Sequence, residues 1–249
     1  MPDLPRYAEL HCLSNFTFLR GASYPEELLA EARRLGYTAL ALTDECSLAG
    51  VVRAHGAAKD RGFKLVIGTE VKFLDGPRLV FLAQDREGYG RLSALITQGR
   101  RRAAKGDYRL ERADLAAGLD HCLALLLPER RLDELQGLKA EAGWLAGRFP
   151  ERLWIAVELL RGGDDGERLE RLTALGRETG IPLAAAGDVH MHVRERQALQ
   201  DTLTAIRLKT TVKAAGYALY PNSERHLRRR EVLARLDPSE LLTETVRIA

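Results

Sequence analysis

Along the chain, short continuous apolar runs alternate with longer segments whose apolar positions recur at helical spacing. Tyr7 to Leu13 reads as a first strand that runs into polar Ser14-Asn15. Ser23 followed by Glu26 has the spacing of a capping box, and Pro25 suits a first helical turn, so a helix is predicted from there to about Leu35, stopped by Gly36. Tyr37 to Leu42 is apolar throughout and ends at Thr43-Asp44, as a buried parallel strand reads. A helix from about Leu48 to Asp60 is closed by Gly62. Phe63 to Val71 and Arg78 to Ala83 are the next strands, joined by the turn Asp75-Gly76-Pro77, and Arg86 to about Ala103 is helical.

The second half repeats the scheme. Cys122 to Leu127 is a strand, Leu132 to Phe149 a helix, Leu153 to Leu159 a strand and Glu167 to Thr179 a helix. Pro182 to Gly187 is the last strand, ending at Asp188-Val189-His190, and helical patterns follow over Arg194–Leu208, Glu224–Leu236 and Pro238–Ile248. Seven strand candidates, mostly followed by helices, predict a mainly parallel sheet with helices outside, either closed as a barrel or doubly wound. Low-complexity stretches, repeats and flexible linkers are absent, and the segment after about Gly216 reads as a helical extension.

Composition narrows the class. With 249 residues, 45% of them hydrophobic and 29% charged, one globular domain accounts for the chain. No apolar run approaches the roughly 20 residues of a membrane span, and Met1-Pro2-Asp3-Leu4 lacks the layout of a signal peptide. Cys12, Cys46 and Cys122 stand far apart in no metal-ligand spacing, so a reducing cytoplasm is the expected location. The net charge of +3 makes the chain no polycation. Its 31 arginines against 7 lysines fit a genomic composition bias more simply than phosphate contacts. Arg100-Arg101-Arg102 and Arg228-Arg229-Arg230 read as solvated helix faces.

Chemistry gathers at the strand ends, where an α/β barrel keeps its working residues. His11 follows the first strand, Asp44 and Glu45 the second, Glu70 lies late in the third, and Asp188 and His190 follow the last. Carboxylates and imidazoles converging at one mouth suit a divalent metal, which could activate water for phosphoester hydrolysis. Singly each is weak: an Asp at a strand end also reads as a helix N-cap. The agreement of four strand ends makes the case.

Six separated blocks then carry a family resemblance. Tyr-Ala-Glu-Leu-His-Cys-Leu-Ser-Asn-Phe-Thr-Phe-Leu-Arg-Gly-Ala-Ser (7–23) is similar to the opening of the PHP (polymerase and histidinol phosphatase) domain of DnaE-type bacterial DNA polymerases. Ala-Leu-Thr-Asp-Glu-Cys-Ser-Leu-Ala-Gly (41–50) resembles the second PHP motif, Ile-Gly-Thr-Glu-Val (67–71) the third and Gly-Asp-Val-His (187–190) the last. Leu-Val-Phe-Leu-Ala-Gln-Asp-Arg-Glu-Gly-Tyr (79–89) resembles the polymerase subgroup. Gly-Tyr-Ala-Leu-Tyr-Pro-Asn-Ser-Glu-Arg-His-Leu (216–227) is similar to the error-prone, ImuC-type branch.

The resemblance implies an α/β fold, a distorted (β/α)7 barrel over residues 1–215, with a helical extension over 216–249 leading toward the polymerase region. It places His11, Glu70, Asp188 and His190 at metal-ligand positions of the family. It also exposes departures: Leu13 replaces the second histidine of His-x-His, Glu45 the histidine of Thr-Asp-His, Arg20 a common aspartate and Arg78 a further histidine. Leu127 or a neighbour replaces a Cys or His. One metal site would lose only its Leu13 position and the other two would keep about one ligand each. The implied state is a vestigial pocket, with no firm cofactor and at most one weakly held divalent metal (Mn, Zn or Mg). The implied role is a non-catalytic structural module of a translesion DNA polymerase, a nucleotidyltransferase acting in DNA repair and replication. Its implied partners are the remaining polymerase domains, translesion accessory proteins, and DNA through the full-length protein. The alternatives are a residual metal-dependent 3′–5′ exonuclease or a free-standing phosphatase, the latter disfavoured by Leu13.

Overall fold

The computed structural model describes residues 4–116, 119–129 and 137–249. Among the described residues, seven strands follow one another around a curled sheet in sequence order. They are β1 (Ala8–Glu9), β2 (Ala39–Leu42), β3 (Lys64–Lys72), β4 (Arg78–Ala83), β5 (Cys122–Leu127), β6 (Leu153–Val157) and β7 (Leu183–Ala185). Neighbours pair in parallel except around β4, which runs antiparallel to both β3 and β5. A doubly wound sheet would reverse its strand order at a switch point; here the order never reverses, and the sheet curls into a distorted barrel. At one end its edges meet: Cys12 bridges Val189, with Leu13 N–H donating to Val189 O (2.8 Å) and Val189 N–H to His11 O (2.9 Å).

Helices α1 (Pro25–Arg34), α2 (Val51–Arg61), α3 (Arg86–Arg101), α4 (Leu138–Ala146) and α5 (Asp165–Thr179) follow the strands. In α1 the buried face is Leu28, Leu29 and Ala32, and Gly36 at φ 73° ends the helix, a conformation glycine adopts without strain. Beyond the sheet come α6 (Gln197–Arg207), α7 (Val212–Ala215), α8 (Arg230–Leu236) and α9 (Ser239–Ile248). α9 lies across the end where the strands begin. Thr245 Oγ1 accepts from Ala8 N–H (3.0 Å), Glu244 Oε1 accepts from Trp154 Nε1 (2.6 Å), and Ile248 joins the apolar interior of the barrel. Among the described residues no helix is long and apolar enough to cross a membrane.

Several local expectations are corrected. The N-cap of α1 is Tyr24, whose N–H donates to Glu27 Oε2 (2.9 Å); Ser23 Oγ accepts the His192 N–H instead (2.9 Å). The first strand has regular pairing only over Ala8–Glu9, because residues 11–13 turn to meet residue 189. The helix expected from Glu224 begins at Arg230, since 224–229 pack over the opposite end of the barrel. The helix expected from Leu132 is observed from Leu138, and 132–136 lie outside the described residues.

Candidate metal centre at the barrel mouth

The inward face of each strand sets the site. Val80 and Leu82 of β4, Leu125 and Leu127 of β5, Trp154 and Ala156 of β6, and Ala184 with Ala186 share the interior cluster. Counting on by two along each strand, the next inward positions toward the mouth are Glu158 after β6 and Asp188 after β7. On β4, which runs the other way, the mouth-side inward position is its first residue, Arg78. Its register places Arg78 opposite Lys72 and Val80 opposite Glu70, so Glu70 and Arg78 face inward together.

His11 sits at the centre, fully buried, between two acids. Its Nε2 lies 2.8 Å from Glu70 Oε2 and its Nδ1 2.9 Å from Glu158 Oε1, with Asp188 Oδ1 at 3.8 Å from Nδ1. Burial alone would lower the His11 pKa, but the hydrogen bonds to Glu158 and Glu70 and the charges of Asp188 and Glu70 raise it to about 10. The ring is therefore an imidazolium that donates from both nitrogens. His190 differs: burial outweighs its bond to Asp188 (Nε2 to Oδ1, 3.0 Å) and lowers it to about 4, so it stays neutral. Its Nδ1 is buried without a hydrogen-bond partner among the described residues.

Three guanidinium groups complete the cluster. Arg20 Nη1 donates to Glu45 Oε2 and to Glu70 Oε1 (3.2 Å). Arg78 Nη1 stands 3.7 Å from Glu70 Oε1. Arg225 Nη1 donates to Asp188 Oδ2 (2.6 Å), and its guanidinium lies over the Tyr220 ring, 4.1 Å from the centroid. Burial would raise Glu70, but Arg20, His11 and Arg78 hold it well below the usual carboxylate range; Arg225, His190 and His11 do the same for Asp188. Among the described residues, four carboxylates (Glu45, Glu70, Glu158, Asp188) thus face three guanidiniums and one imidazolium, and the formal charges of these eight groups cancel.

Residues 9–161 match the family described as PHP domain. The chain belongs to the PHP domain family. Over 98% of its length it is 62% identical to an error-prone DNA polymerase of Methylococcus capsulatus, and over 99% it is 59% identical to one of Dechloromonas aromatica. It spans only 23% and 24% of those two relatives. A Bifidobacterium adolescentis protein described as a metal-dependent phosphoesterase shares the fold: TM-score 0.54 at 17% identity, covering 76% of this chain and 89% of its own. An amidohydrolase from Chromobacterium violaceum, solved with sulfate and no metal, gives TM-score 0.51 at 18% identity over 74% of this chain and 87% of its own.

The donors of this PHP domain suit a metal only in part. His11, Glu158 and Asp188 each offer one atom, all within 4.8 Å of one another. That set fits a single ion, provided His11 gives up a proton and its bond to Glu158. A multinuclear centre does not fit, because Glu70 is taken by Arg20 and Arg78 and Leu13 and Leu127, both buried, offer no donor atom. Of the residues singled out in the sequence, the structure brings His11, Glu70, Asp188, His190, Arg20, Glu45 and Arg78 together. Asp44 turns away: it accepts from Ser14 N–H (2.8 Å), Ser14 Oγ (2.8 Å) and Thr17 Oγ1 (2.7 Å) and ties down the loop after β1.

Sequence reasoning missed Glu158 and Arg225. Glu158 had a readable signal, a lone acid at an inward-phase position inside the apolar run 153–160. Arg225 had none, since it comes from a loop outside the barrel's alternation. A backbone feature also helps shape the site. Gly187 lets the Glu9 carboxylate approach its amide (Gly187 N–H to Glu9 Oε1, 2.9 Å), where an added Cβ would stand 2.3 Å from Glu9 Oε2. Asp188 follows at φ 44°, a left-handed conformation that aspartate tolerates better than most residues.

Proposed function

We propose that this PHP domain is a non-catalytic structural module of an error-prone, C-family DNA polymerase acting in translesion synthesis. Its partners are the remaining polymerase domains and translesion accessory proteins, and it meets DNA as part of the full-length chain. The observation that carries this reading is the placement of Arg20, Arg78 and Arg225 on Glu70 and Asp188, two carboxylates the family uses as ligands. A guanidinium stays charged at any working pH and offers carboxylates a planar fork of donors. It supplies the charge that holds grouped acids ionised, but it has no vacant coordination position for water. A second reading rests on the three donors His11, Glu158 and Asp188: a single Mn, Zn or Mg ion supporting residual 3′–5′ exonuclease or phosphoesterase activity.

Elemental analysis of tag-free protein, with assays on 3′-labelled oligonucleotides and a phosphomonoester in Mn²⁺, Zn²⁺ and Mg²⁺, separates the two. The expected outcome is well under one equivalent of metal and no turnover. Turnover abolished by EDTA and by His11→Ala would overturn the structural reading in favour of the residual enzyme.

A further inference from the structure

Beside the mouth, the connection from the end of α6 through α7 stands clear of the barrel. Residues 206–214 and 216–218 are all exposed, with only Ala215 buried. Between Asp201 and Glu224 the sequence has no acid, yet it carries Arg207, Lys209 and Lys213. Arginines elsewhere on this surface are commonly paired with acids, as Arg34 is with Glu31, Arg53 with Glu26 and Arg196 with Glu27. No carboxylate of the described residues lies within 4.0 Å of Arg207, Lys209 or Lys213. Tyr217 is fully exposed on the same projection, with Leu208 and Val212 about two-fifths exposed. The projection adjoins the site: Tyr220, which feels the Arg207 charge, packs its ring 5.3 Å from that of His190.

We propose that this α6–α7 projection is a contact surface for the backbone of single-stranded DNA. Uncompensated cations on an exposed segment attract backbone phosphates and gain by releasing the counterions of the nucleic acid. A solvated tyrosine among them offers a stacking face to any base, which favours single strands over duplex, whose bases are already stacked. An acidic protein segment would satisfy the cations but would leave the Tyr217 ring without a comparable partner. The surface is separate from the metal question, since none of its residues touches the mouth's carboxylates.

Fluorescence anisotropy of the 249-residue chain with a labelled oligothymidylate about 20 nucleotides long, at about 50–200 mM salt, tests this. The wild type binds with an affinity that falls steeply with salt. Arg207→Glu/Lys209→Glu/Lys213→Glu weakens binding at least about 10-fold and flattens the log–log salt slope by about 2, near 0.7 for each phosphate that is no longer neutralised. Tyr217→Ala weakens binding by about 5-fold or more and leaves that slope unchanged. Should the triple variant unfold at lower urea than wild type, Lys213→Ala and Tyr217→Ala, both on exposed side chains, carry the test alone. A wild type that does not bind at about 50 mM salt, or charge variants that bind as it does, overturn the proposal. So does polyglutamate competing at equal charge together with an unaffected Tyr217→Ala, which would mark a docking site for an acidic protein.

Discussion

Arg20 bridges Glu45 and Glu70 with a side chain only 17% exposed, while Glu70 is buried. Arg20→Met would leave Glu70 with His11 and the more distant Arg78, an incompletely compensated buried charge. Breaking such a pair costs about 3 kcal/mol, the lower end of the range for buried pairs because the guanidinium still meets solvent. Urea unfolding at neutral pH reads that loss. Arg20→Met/Glu70→Gln, which removes both charges, is expected to recover part of it, and a double variant no more stable than the single would show that Glu70 is not the charge Arg20 serves. At this scale the sequence identified residue types well. His11, Glu70, Asp188 and His190 were legible as strand-end residues, and Arg20 and Arg78, also singled out in the sequence, lie beside Glu70. Leu13 is buried and carries no donor atom, a property that could be read without knowing its neighbours.

At the scale of elements, β4 and α9 decide most. Because β4 runs backwards, its first residue rather than its last reaches the mouth, and Arg78 therefore faces Glu70. α9 fills the other end and presents fully buried Leu242 and Thr245 to the barrel. The junction between α8 and α9 buries Asp237, and burial raises its carboxyl to about 7, with Arg228 pulling it down and Glu9 and Asp165 pushing it up. A raised acid favours the folded state below its unfolded value, about 3.8, and that contribution is lost as pH rises through about 7. Asp237→Asn is therefore expected to raise stability by roughly 2–4 kcal/mol at pH 8 and to leave it nearly unchanged near pH 4. An equal effect at both pH values in urea titrations would mean that the gain comes from packing, not from relief of a buried charge. The position of the docked α9 had no sequence signal: its amphipathic pattern predicts a helix, and the same pattern fits any apolar partner.

For the whole molecule, the mouth cluster sets a stability window in pH. His11, raised to about 10 from an ordinary 6.5, contributes fully below about 6.5, and that contribution is lost as pH climbs through about 10. Glu70 and Asp188, both held below their ordinary 4.5 and 3.8, contribute above those values and lose it as pH falls through their lower folded ones. Asp237 adds a separate decline between about 3.8 and 7. Urea midpoints are expected to peak on the acid side of neutrality and to fall toward pH 9–10, and His11→Gln should flatten the limb above about 6.5. A wild-type profile flat across that limb would show that His11 is not the imidazolium its two acid neighbours imply.

Alternation and helical spacing in the sequence determined most elements, their order and the α/β class, because each reports which face of a segment must leave water; the closed strand order was left to the tertiary structure. Motif residues determined the family. Tertiary structure alone decided which charges meet. Arg225 reaches Asp188 from a loop 37 residues further along the chain, and Asp44 turns into the loop after β1 instead of the mouth. α9 seals the barrel from the far end of the sequence. Such pairings depend on where distant segments come to rest, and local periodicity carries no information about that.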